Sequence, residues 1–135
     1  MTQINAYLNF NGQCREAMTF YQECLGGELT LQRVAESPMG AQLTSSDGAQ
    51  ILHSVLSRGE LTLLGSDMIG KKLQKGNEVT LCMRCSSHEE INTCFNKLAE
   101  GGHIKMPLHQ SFWGATYGEL TDKFGMNWMF HYTRN

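Results

Sequence analysis

Ile4, Ala6, Leu8 and Phe10 alternate with polar or smaller partners, the period of a half-buried strand. Seventy-five positions on, Val79, Leu81, Met83 and Cys85 repeat the alternation. Each run leads into a stretch with helical spacing. Cys14, Ala17, Met18, Tyr21, Cys24 and Leu25 form one stripe over about 13–25, and Ile91, Cys94, Phe95, Leu98 and Ala99 form another over about 89–100. A glycine pair ends each helix, Gly26-Gly27 and Gly101-Gly102, as a left-handed cap requires. Ser86-Ser-His-Glu89 predicts a capping box at the second helix start.

A strand follows each glycine pair, beginning at Glu28 and His103. Two more follow it: 50–57 and 60–65 around Arg58-Gly59 in the first half, then 115–121 and 126–132 around Asp122-Lys-Phe-Gly125 in the second. The chain therefore reads as two βαβββ modules, about 1–65 and 78–135, joined by a linker at 66–77 within a single domain of 135 residues. The fold class is α+β: a curved mixed sheet around a groove, with the helices on the outer face. One four-stranded sheet with one helix buries a single face, so two copies are expected to pair and enclose a ligand site. Residues 37–48 are polar and aperiodic, a loop in which Met39 is a candidate lid residue.

Eleven Lys and Arg against thirteen Asp and Glu give a net charge of -2, which leaves no basic field for nucleic acid or an anionic membrane surface. No stretch approaches the ~20 apolar residues of a membrane span, and no basic-apolar leader opens the chain, so a cytoplasmic location is expected. Five cysteines without such a leader read as reduced thiols. Cys82 and Cys85 have CxxC spacing, but on a strand residues three apart face opposite ways, so neither a metal nor a redox pair is expected there.

The tandem modules, the opening from Tyr7 to Tyr21 with Leu25-Gly-Gly-Glu-Leu29, and the ending from Phe112-Trp-Gly to Trp128 resemble the vicinal oxygen chelate superfamily, the glyoxalase, bleomycin-resistance and extradiol-dioxygenase group. Within it the chain is most similar to the PhnB-like branch, whose legacy label is demethylubiquinone methyltransferase. The resemblance implies a homodimer and, in the superfamily's metalloenzymes, four His or Glu ligands around a divalent ion. The matching positions here are Asn5 or Ala6, Leu63 or Leu64, a residue within 78–80, and Met129, so no metal is expected. No strand runs into a Gly-rich turn that would cradle a nucleotide, so no cofactor is expected either.

The candidate chemistry centres on His53 and Glu119. His53 precedes Gly59 by six residues and Glu119 precedes Gly125 by six, which predicts matching places in the third strand of each module. His53 is expected beside Ile51 and Val55, and Glu119 beside Tyr117 and Thr121, both pointing into the groove. His53, Trp113, Tyr117 and Glu119 are the expected ligand-binding residues, and His53 with Glu119 the candidate catalytic pair. His88 and His103 read as surface residues. His109 and His131 could face the groove, and His131 shares a strand face with Asn127 and Met129. Trp128, Phe130 and Tyr132 read as core beneath a helix.

The leading expectation is a metal-independent binder of a small organic ligand, without nucleic-acid or membrane partners. The alternatives are a lyase- or isomerase-like enzyme with His53 as general base supported by Glu119, or a metal-dependent glyoxalase-like enzyme.

Overall fold

In a computed structural model, described over residues 2–36, 50–69, 72–112 and 114–133, the chain forms two compact units, Met1–Gln74 and Lys75–Asn135. Each is a four-stranded mixed sheet with one helix packed on it, an α+β fold. The loop around Met39, together with Trp113, lies outside the described residues.

The first unit contains β1 (Ala6–Phe10), α1 (Cys14–Leu25), β2 (Glu28–Arg33), a 3-10 turn at Val34–Glu36, β3 (Ile51–Arg58) and β4 (Leu61–Asp67). Its strand order is β1-β4-β3-β2, with β1 parallel to β4 and the other pairs antiparallel. β1 starts at Ala6 because pairing with β4 starts there; Ile4 lies outside the ladder and is 99% exposed. At the other end, pairing of Phe10 with Asp67 carries β4 two residues beyond its expected stop. Ser66 and Asp67 are therefore buried strand residues and not the start of a linker.

Asp67 explains how α1 begins. Gln13 at the N-cap supplies no side-chain bond; instead Asp67 Oδ1 accepts the Cys14 N–H at 3.0 Å, and Oδ2 accepts the Ile51 N–H at 2.9 Å. One carboxylate, 5% exposed, thus fixes the helix start and the β3 start together. Below it, Ser54 Oγ donates to the Gly65 carbonyl at 2.8 Å and lies 3.5 Å from Cys14 Sγ. Burial, followed by smaller opposing effects of Ser54 and Asp67, pushes the Cys14 thiol up to about 11.

The second unit contains β5 (Leu81–Arg84), α2 (His88–Leu98), β6 (His103–Gln110), β7 (Ala115–Thr121) and β8 (Asn127–Thr133), in the order β5-β8-β7-β6. The cap of α2 is displaced by one residue from its expected place: Ser87 Oγ accepts the Glu90 N–H at 3.0 Å, and Glu90 Oε1 accepts the Ser86 N–H at 2.8 Å. β6 extends through Pro107, which has no N–H to give a ladder and is tolerated on an edge strand, within a register shift between Met106 and His109. Val79, like Ile4, precedes its ladder and is exposed.

Asp122 organises the β7–β8 turn. Its Oδ1 accepts N–H groups of Phe124 at 2.8 Å and Met126 at 3.1 Å, and Oδ2 accepts the Trp128 indole N–H at 2.9 Å. Trp128 and Phe130 stack beneath α2, and Phe95 meets Phe130 edge-on at 5.4 Å.

Each helix lies over a strand pair containing one glycine. In the first unit the pair is Ser54 and Gly65, where a Cβ on Gly65 would approach Met18 Sδ to 3.0 Å. In the second it is Gly118 and Phe130, where a Cβ on Gly118 would come within 2.9 Å of Phe95 Cε2 and 2.8 Å of Leu108 Cδ2. The small residue sits on opposite strands in the two units, with the same effect: the helix can approach closely.

Two stability outcomes follow. Asp122→Ala leaves two backbone N–H groups and an indole N–H without their acceptor and should lower the unfolding free energy by about 3 kcal/mol, read from the urea midpoint at unchanged slope. Gly118→Ala should cost about 1–3 kcal/mol by overpacking against Phe95, in the same measurement.

Candidate functional site

Since a helix covers one face of each sheet, the opposite face is where polar side chains can meet a ligand. On β3, Ser54 and Leu56 face α1 and are fully buried, whereas His53 is exposed on the other face. Ile51 does not accompany His53. The ladder to β2 skips Leu52, pairing Gln32 with His53 and then Arg33 with Ile51, and this bulge turns Ile51 into the core. The Tyr7 ring lies 6.2 Å from that of His53 between centroids.

On β7, Tyr117, Glu119 and Thr121 share the helix-free face, and Gly118 and Leu120 the buried one, as the alternation predicts. The Tyr117 hydroxyl donates to Glu119 Oε2 at 2.7 Å. This hydrogen bond, with desolvation and the carboxylate charge adding to it, pushes the Tyr117 phenol up to about 12. His109 meets the Tyr117 ring edge-on at 6.0 Å, and its Nδ1 lies 2.9 Å from the Pro107 carbonyl. His131, half-buried on β8, is paired across the ladder with Tyr117, and its Nε2 is 3.3 Å from Thr133 Oγ1.

The ladders correct the matching of His53 with Glu119. Leu8 pairs with Gly65 and Met83 with Phe130; Gly65 in turn pairs with Ser54, and Phe130 with Gly118. Ser54 therefore corresponds to Gly118, which places His53 opposite Tyr117 in the repeat and Val55 opposite Glu119. Counting back from the turn glycines fails because the hairpins differ: Arg58 pairs with Leu61 across a two-residue tip, whereas Thr121 pairs with Asn127 across five. Each side chain lies on the expected sheet face, but the two are not equivalents, and within its own unit Glu119 is engaged by Tyr117.

The remaining histidines divide as expected: His88 and His103 are exposed, at a helix start and a strand start. Cys82 is exposed and Cys85 buried, so the CxxC spacing does not form a facing pair. Among the described residues, no three His, Cys, Asp or Glu side chains cluster closely enough to hold a metal ion. At the positions that the resemblance singles out, β1 offers Ala6 with Asn5 just before it, β4 offers Leu63 and Leu64, Glu78 to Thr80 lie just before β5, and β8 offers Met129, whose thioether is a soft donor. Among the described residues, no helix is long and apolar enough to cross a membrane.

A family model described as 3-demethylubiquinone-9 3-methyltransferase matches residues 2–130. The chain belongs to this family. Its fold is shared with structures described as a PhnB protein and as a glyoxalase/bleomycin resistance protein/dioxygenase family enzyme, in line with the resemblance to the vicinal oxygen chelate superfamily. The chain is 32% identical to the protein YjdN of Escherichia coli K12, with 93% of this chain and 92% of YjdN covered. The crystal structure of protein PA1353 from Pseudomonas aeruginosa matches all of both chains at 34% identity and a TM-score of 0.87. A PhnB protein from Bacillus cereus shares the fold at 24% identity and a TM-score of 0.75, covering 98% of this chain and 100% of its own.

Two checks follow from this geometry. Glu119→Gln removes the acceptor charge that disfavours the phenolate, so the Tyr117 phenol should move down from about 12 toward the ordinary range near 10, measurable from its ring carbons by NMR. Under native conditions at pH 8, iodoacetamide should label Cys82 and leave Cys14 unmodified, as peptide mass spectrometry would record.

Proposed function

We propose that this PhnB-like protein is a metal-independent binder of a small organic molecule, with His53, Trp113, Tyr117 and Glu119 as contact residues. In the same reading it works as a cytoplasmic homodimer. The observation that carries it is the helix-free face of the second sheet, where Tyr117, Glu119, His109 and His131 gather acceptors, donors and aromatic surface on adjoining strands. Such a mixture suits recognition of an organic ligand with both polar and flat apolar parts.

The family label names a methyl transfer, but among the described residues no strand runs into a glycine-rich nucleotide cradle. A second reading, as an enzyme, draws on the Tyr117–Glu119 bond: a carboxylate already holding a proton donor on an open sheet face can serve proton transfer. His53 would be the base in that reading, with Glu119 in a supporting role.

Thermal-shift screening against a small-molecule library tests the binding function. A true ligand at ~100 times its dissociation constant should stabilise the protein by about 2.7 kcal/mol, and Tyr117→Phe together with His53→Ala should weaken it. A library that yields no stabilising compound overturns the reading. Dialysis against EDTA should leave ligand affinity unchanged; stoichiometric metal in untagged protein overturns the metal independence. Turnover of a screened compound that is abolished by His53→Ala, with affinity retained, would establish the enzyme instead.

A further inference from the structure

The ladders of the second unit align four side chains in one row across the whole sheet. Arg84 on β5 pairs with His131 on β8, His131 with Tyr117 on β7, and Tyr117 with His109 on β6. Residues paired in a ladder project to the same side, and Tyr117 fixes that side as the helix-free one. The next row holds Cys82, Met129, Glu119 and Met106. The carboxylate of that second row is occupied by the Tyr117 hydroxyl, which leaves Arg84 and His131 at the opposite end of the first row from His109.

At that end a cavity of about 460 Å³ opens, lined by Arg84, Cys85, Ser86, His131, Tyr132 and Thr133. Arg84 is exposed and has neither a hydrogen-bond nor an ion-pair partner among the described residues. Beside Ser86 of this lining stands Glu90, whose Oε1 accepts the Ser86 N–H at 2.8 Å and lies 3.2 Å from Ser86 Oγ. The first unit does not duplicate the arrangement. By the same register, Asn9, Ser66, His53 and Gln32 take the places of Arg84, His131, Tyr117 and His109, and none of them is a permanent cation.

We infer that Arg84 and His131 form an anion-anchoring subsite, which makes the preferred ligand a small organic molecule with a carboxylate or phosphate group. The inference rests on the binding function above and names its ligand class. The guanidinium supplies a planar fork of donors that matches two oxygens of either anion, while the hydrogen-bonded pair of His131 Nε2 and Thr133 Oγ1 keeps one N–H or O–H to add from the neighbouring strand. The organic remainder of the ligand would extend along the row toward Tyr117.

The test is an NMR titration of isotopically labelled protein with inorganic phosphate and, separately, acetate at constant ionic strength, following the Arg84 side-chain and His131 ring signals. Saturable shifts are expected at both residues. Arg84→Gln should weaken binding at least tenfold, Arg84→Lys should recover only part of it because a single ammonium cannot form the two-donor fork, and Lys97→Gln, with the same charge change at a distant site, should leave it intact. Saturation with phosphate alone would identify a phosphate-bearing ligand, and with acetate alone a carboxylate. Linear shifts, or an equal loss in Lys97→Gln, would reduce the effect to general charge screening and overturn the inference. A library screen that returns only neutral ligands, unaffected by Arg84→Gln, would also overturn it while leaving the binding function standing; a screen that returns none, with saturable phosphate binding intact, would remove that function and leave an anion site alone.

Discussion

A single helix can cover only one face of a four-stranded sheet, and the arrangement of both units follows from that constraint. Strand alternation sends every second residue beneath the helix, where it must be apolar, small or fully hydrogen-bonded. Met18 over Gly65 and Phe95 over Gly118 show how tightly the covered side is packed. The remaining residues of each strand are released from core duty. His53, Tyr117, Glu119, His131 and Arg84 all belong to this released set, so these polar side chains stand where packing places the weakest demands on side-chain identity.

Two buried carboxylates join the helices and turns to this layered plan. Asp67 closes the gap between a helix start and a strand start that lie 37 residues apart in sequence, and Asp122 gathers a turn around the indole of Trp128. Each oxygen faces N–H donors, which is the condition under which an ionised group can remain in a core. Their role is architectural, and it keeps the ends of β3 and β8 in fixed registers. Those registers set which side chains stand beside one another on the open faces.

Most of the architecture was legible in the sequence because it depends on periods of two and 3.6 residues, which survive along uninterrupted runs such as 6–10 and 115–121. The opening alternation, both helix stripes and the glycine pairs gave elements within a few residues of those observed. What periodicity cannot register is a residue that steps out of the count. The bulge at Leu52 separated Ile51 from His53, and the unequal hairpin tips made His53 and Glu119 look equivalent when the ladders match His53 with Tyr117. Asp67 was mistaken for linker because a polar Ser-Asp pair at a strand end resembles loop composition; only its register with Phe10 reveals that it is inside. Arg84 was visible only as the interior of a CxxC spacing, and its significance needed the pairing of β5 with β8.

The glycine of each covered pair lies on β4 in the first unit, beside Ser54, and on β7 in the second, beside Phe130. Exchanging β4 for β8 would therefore set a phenyl ring where Gly65 leaves room for Met18, and two glycines side by side where Phe130 meets Phe95. The halves are alike in outline yet not interchangeable in substance: a chimera that respects every strand boundary would be crowded under one helix and hollow under the other.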